Sequence, residues 1–135
     1  MKKIIICILI FTIGIFKINA QNSENNRIIT SVSFEKEKII LNNVNCYNYI
    51  REGNEFKILD LNQKELIIGK VEKNSNDEFE CVVTFVGINK QFSNKKMIGR
   101  NGIIFGLVNN NVIEKNFEFN IEKLNKFIEE FNELK

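Results

Sequence analysis

The chain has 135 residues, with 19 Lys and Arg against 17 Asp and Glu, and it contains no His, Trp or Pro. The absence of His excludes Ser-His-Asp and Cys-His nucleophile chemistry and every zinc site that needs imidazole. A charge balance this close to neutral removes the simplest argument for nucleic-acid binding, which wants a clearly basic domain.

Residues 1–20 read as a secretory signal peptide. Lys2 and Lys3 make a positive n-region, Ile4 to Phe16 make an apolar stretch of thirteen residues, and Ala20 is the small residue before the cut. A stretch of that length is too short for a hydrocarbon core of about 30 Å, which takes about twenty helical residues. Lys17 and Ile18 fit the pattern poorly, so an uncleaved N-terminal anchor helix stands as the alternative. Cleavage takes the basic count from 19 to 16 against 17 acids, a net charge of −1, and leaves 115 residues. That length suits one ordinary domain. The expected location is the periplasm or the extracellular space.

Residues 21–35 are polar and then mixed, and read as a flexible mature N-terminus. Residues 36–135 read as a single α+β domain. Segments near 37–42, 44–50, 54–61, 65–73 and 78–87 are short, rich in Ile, Val, Phe and Tyr, and separated by Asn, Gly and Asp. Asn42-Asn43, Glu52-Gly53-Asn54, Asn62-Gln63 and Asn74-Ser75-Asn76-Asp77 supply the positive φ angles of tight hairpins. Connections this short force neighbours antiparallel, since a parallel crossover needs a dozen or more residues. A five-stranded antiparallel meander is predicted. Alternation puts Phe79, Cys81, Val83 and Phe85 on its core face.

Residues 88–120 are ambiguous. Gly102 to Val108 satisfies either a buried strand or a short helix opened by Asn101, and periodicity does not separate the two; a helix over 102–109 is the preferred reading. Beyond it, Ile121, Leu124, Phe127, Ile128, Phe131 and Leu134 recur at helical spacing. Asn120 suits the N-cap and Glu122 the first turn. This predicts an amphipathic helix over 121–134 that covers the meander.

With Cys7 inside the signal, Cys46 and Cys81 are the two thiols of the mature chain. A disulfide between them would close a loop of about 35 residues, worth about 4 kcal/mol in the loop-entropy model. The alternative is two separate buried thiols. Charge is uneven along the chain. Lys90, Lys95, Lys96 and Arg100 fall where no acid occurs between Glu80 and Glu114, a local charge of +4. If Asn101 opens a helix, its free N–H groups join these cations as a site for an anion or an acidic partner. The bland reading is a solvated loop paired with Glu114 or with the last helix. Asp60, Glu65, Asp77 and Glu78 lie at strand ends and turns, where acids are usually just solvated. Tyr47 and Tyr49 share one side of the second strand, as a stacking platform if exposed and as core if a helix covers them.

These residues point to a small exported, non-catalytic domain that binds a partner protein or an envelope component. An envelope-anchored structural protein and a carboxylate-based hydrolase are the alternatives. No cofactor, metal or nucleic acid is implied, and the membrane enters only through an uncleaved N-terminal segment.

Overall fold

Short turns set the architecture. The computed structural model describes residues 27–134, so the signal-peptide expectation and residues 21–26 lie outside the described residues. Seven strands follow in chain order: β1 (Val32–Glu35), β2 (Lys38–Leu41), β3 (Val44–Glu52), β4 (Glu55–Leu59), β5 (Glu65–Lys73), β6 (Phe79–Phe85) and β7 (Lys90–Phe92). They form one sheet in the order β1 to β7, each antiparallel to the next. Asn42 and Asn43, at φ 51° and 62°, make the β2–β3 turn, since Asn tolerates the left-handed region better than most residues.

The meander therefore has two strands more than predicted. β1 lies within the stretch read as a flexible N-terminus, and β7 within the ambiguous region after Phe85. Both are too short to show a period, and both are ordered by distant partners. Asn42 does this for the chain entering β1. Its Oδ1 accepts from the Thr30 and Ser31 backbone N–H groups, and its Nδ2 donates to the Ile28 carbonyl. β7 is held by Phe92, which is fully buried and stacks on Phe127 with ring centroids 5.0 Å apart.

Two bulges set which side chains point inward. Ile39 pairs with Tyr47 but Ile40 with Asn45, so Cys46 is an extra residue on β3. Such a bulge breaks the strict alternation of a strand, and Cys46 and Tyr47 are both buried. A second shift, at Ile58 and Leu59 against β5, accompanies the burial of both residues.

Two helices complete the fold, α1 (Gly99–Asn109) and α2 (Ile121–Phe131). The preferred helical reading of the Gly102 region holds, but α1 starts three residues earlier. Ile98 is its N-cap and makes no side-chain capping bond. Asn101 sits inside the first turn instead, where its Oδ1 accepts from Arg100 Nε. α2 is capped as expected, with Asn120 Oδ1 accepting from the Lys123 N–H. It stops at Phe131 because Asn132 turns to the sheet edge, accepting from Ser93 N–H and donating to the Gln91 carbonyl. Leu134 is consequently exposed rather than part of the stripe. Leu124, Phe127 and Ile128 of α2 join Ile103, Ile104, Leu107 and Val108 of α1 in one core with the inward residues of β2 to β7.

Candidate functional site

In a meander, alternate turns lie at the same end of the sheet. The β2–β3, β4–β5 and β6–β7 connections thus share one end, and loops clustered on a rigid scaffold are where binding groups concentrate. A cavity of about 510 Å³ opens there, within the range of small-ligand pockets. Tyr47 of β3, Phe85 of β6 and Leu124 of α2 line its interior, and all three are buried. Val44, Leu61 and Ile121 line it as well, yet remain 48%, 54% and 51% exposed. Asn45, Asp60, Lys64 and Glu118 add polar atoms, and Asn45 Oδ1 is buried with no hydrogen-bond partner among the described residues.

One wall is the hairpin that leads into α2, closed by pairing of Ile113 with Phe119. Its loop repeats a design used twice elsewhere. In each copy the first residue's N–H donates to the carbonyl four residues on, and the fourth residue's N–H donates back to the first carbonyl. The three loops start at Asp60, Asn74 and Glu114. Their fourth residues, Gln63, Asp77 and Phe117, have φ of 68°, 61° and 65°. Glycine is the usual occupant of this position in three-residue hairpin loops, and a bulky aromatic in the left-handed region is an outlier. Phe117 lines the cavity, and its carbonyl accepts from the Tyr47 hydroxyl. Burial pushes the Tyr47 phenol well above its ordinary value, with Cys46 adding to the effect, so this hydroxyl stays a donor. The Tyr47 ring packs edge-on against Phe119, with centroids 6.1 Å apart.

The sequence-derived candidates fall elsewhere. Lys90 opens β7 at the cavity end, where its Nζ donates to Asn125 Oδ1. Lys95, Lys96 and Arg100 follow β7 at the opposite end of the sheet. Lys95 and Lys96 are exposed, and Lys95 contributes its backbone N–H to Glu133 Oε1. Arg100 is turned inward. Its Nη1 donates to the Glu35 carbonyl, and its guanidinium lies over the rings of Phe34 and Tyr49.

The disulfide reading is corrected, because Cys46 and Cys81 are both free and buried. β4 and β5 lie between their strands, which separates them by about 14 Å at the usual strand spacing. They also sit toward opposite ends of those strands, and a bridge needs Cα atoms within about 7 Å. Burial raises both thiol pKa values, opposed by a backbone hydrogen bond with Leu41 at Cys46 and with Gly99 at Cys81. Tyr47 and Tyr49 are packed rather than displayed as a platform, Tyr47 fully and Tyr49 against Phe56 and Arg100.

Three of the four candidate carboxylates have structural partners, and the fourth, Glu78, is exposed just before β6. Asp60 Oδ1 accepts from the Asn62 and Lys64 N–H groups of its own turn, Glu65 pairs with Lys57 at 2.6 Å, and Asp77 pairs with Lys73 at 3.3 Å. Among the described residues no three Cys, Asp or Glu side chains are grouped to hold a metal ion. Sequence reasoning missed the cavity, although a signal was present. Leu61 and Phe117 are large apolar residues within turn sequences otherwise made of Asn, Gln, Asp, Glu and Lys. The chain matches no protein-family model, no curated protein and no solved structure, so a functional reading must come from the chemistry of the site.

Proposed function

We propose that this chain is a small exported, non-catalytic binding module, and that it binds an envelope component or the apolar group of a partner in the cavity at the β2–β3, β4–β5 and β6–β7 end. The observation that carries the reading is the exposure of Val44, Leu61 and Ile121 around a space of about 510 Å³. Single exposed apolar residues are ordinary on a protein surface; several gathered at one cavity mark a binding site. The out-of-place Phe117 supports the same reading, because backbone strain tends to be kept where a side chain is needed. The non-catalytic part rests on the absence of His in the whole chain and on the structural engagement of Asp60, Glu65 and Asp77. Export rests on Lys2, Lys3 and the Ile4–Phe16 run, and predicts that secreted material has the mass of residues 21–135.

Gly87 offers a clean test of the cavity. It lines the space, and a Cβ built on it meets nothing within 4 Å, so Gly87→Phe adds a ring without a clash at the backbone. A neutral apolar dye such as Nile red should bind the wild-type chain saturably and the variant at least about tenfold more weakly, a difference of about 1.4 kcal/mol. Equal binding by a folded variant would place the apolar site elsewhere.

A further inference from the structure

The chemistry of the cavity mouth also selects the kind of molecule that enters, an inference that rests on the cavity being the binding site. Four charged residues line the space: Asp60, Lys64, Glu65 and Glu118. Glu65 is neutralised by Lys57 at 2.6 Å. The Asp60 carboxylate accepts from backbone N–H groups of its own turn, and Glu118 accepts from the neutral amide of Asn116. Two carboxylates therefore remain against the single ammonium of Lys64, a net charge of −1 at the mouth. The positive end of α2 also opens on the cavity through Ile121, but Glu122 in its first turn offsets it. The wall adds an acceptor, Asn45 Oδ1, which is buried and without a partner among the described residues, an unmet hydrogen-bonding capacity that a donor would satisfy.

We infer that the cavity accepts a small amphipathic molecule with an apolar body and a head that is cationic and donates hydrogen bonds, a primary alkylammonium being the simplest example. The apolar body lies between Tyr47, Phe85 and Leu124, and the ammonium remains at the mouth near Asp60 and Glu118. A carboxylate head of the same length would meet like charge in a partly dry site, where repulsion is screened less than in water. Fatty acids are disfavoured as occupants for that reason.

Three probes of one chain length separate head from body: octylammonium, 1-octanol and octanoate, titrated calorimetrically into the purified chain at low ionic strength. Octylammonium and octanol should bind saturably, with octanoate weaker than octylammonium by about tenfold or more. In Asp60→Asn, Glu118→Gln protein that preference should be lost or reversed, because both changes keep a hydrogen-bonding oxygen while removing the charge and leave the Lys64 ammonium at the mouth. If octanol binds but octanoate matches or exceeds octylammonium, the cationic-head inference is overturned and the cavity reading survives. If the double change leaves the preference intact, the selectivity does not come from these carboxylates and the inference fails. If none of the three binds, the cavity reading itself is wrong and takes the inference with it.

Discussion

The guanidinium carbon of Arg100 lies 4.1 Å from the centroid of the Tyr49 ring, joining the first turn of α1 to the middle of β3. The same side chain is 5.0 Å from the Phe34 ring and donates to the Glu35 carbonyl at 2.7 Å. One residue thus fastens α1 to β1 and β3. A partly desolvated cation–π contact is worth about 0.5–2 kcal/mol and a charge-assisted hydrogen bond about 1.5–3 kcal/mol. Arg100→Ala should therefore lower unfolding stability by about 2–4 kcal/mol, read from urea denaturation. Lys95→Ala, whose side chain is exposed, should change it by less than about 0.5 kcal/mol. Similar small losses for both variants would show that Arg100 is an ordinary surface cation.

Across the β4–β5 pair, Phe56 stands directly opposite Gly69, and its ring covers the glycine. A Cβ on Gly69 would fall 2.2 Å from the ring carbon Cζ, far inside contact distance. Gly69→Ala should cost about 1–3 kcal/mol, the usual penalty of overpacking. In a Phe56→Leu background the added methyl has room, and the penalty of the second change should fall by at least about 1 kcal/mol. A double-mutant cycle with no coupling would mean that the ring does not need the glycine.

The two thiols have a pH signature. Burial holds Cys46 and Cys81 above their ordinary value of 9.0, so the folded chain retains protons that the unfolded chain releases. Stability from this source is complete below about pH 9 and declines as pH rises through the folded values. Tyr47, raised above its ordinary 10.0, extends the decline upward. Urea midpoints should fall from pH 8.5 to pH 10.5, and Cys46→Ala with Cys81→Ala should flatten that slope. Without reductant, the chain lacking residues 1–20 should show two titratable thiols after unfolding and almost none before. A count below two after unfolding would reject the free-thiol structure.

The three related loops predict unequal responses to glycine. Gln63 sits at φ 68° and is exposed, so Gln63→Gly removes strain with little packing to lose and should stabilise by about 0.5–1 kcal/mol. Asp77→Gly should gain less, because Asp tolerates the left-handed region better. Phe117→Gly relieves the same strain but deletes a half-buried ring, and should give no net gain while weakening Nile red binding. If Phe117→Gly stabilises as much as Gln63→Gly without touching dye binding, the ring has no role in the cavity.

The strands that sequence reading located are those whose signals are local. Asn42-Asn43 and Glu52-Gly53-Asn54 announce turns by the φ angles their residues accept, and the 81-83-85 alternation on β6 names its own core face, although Phe79, expected on that face, is 58% exposed at the start of the strand. The α2 stripe of Leu124, Phe127 and Ile128 is equally local, repeating with the helix period. β1 and β7 escaped because four and three residues carry no readable period; Asn42 and Phe127, distant in the chain, hold them in place. Tertiary structure likewise decided that Cys46 turns inward beside Tyr47, since a bulge exists only relative to the paired strand. It placed Arg100 on Tyr49 and split the basic stretch between two ends of the sheet, neither of which linear spacing encodes. The cavity is the furthest case. Val44, Leu61, Phe117 and Ile121 are spread over 78 positions of chain, and only the alternation of turns in an antiparallel meander brings them to one end.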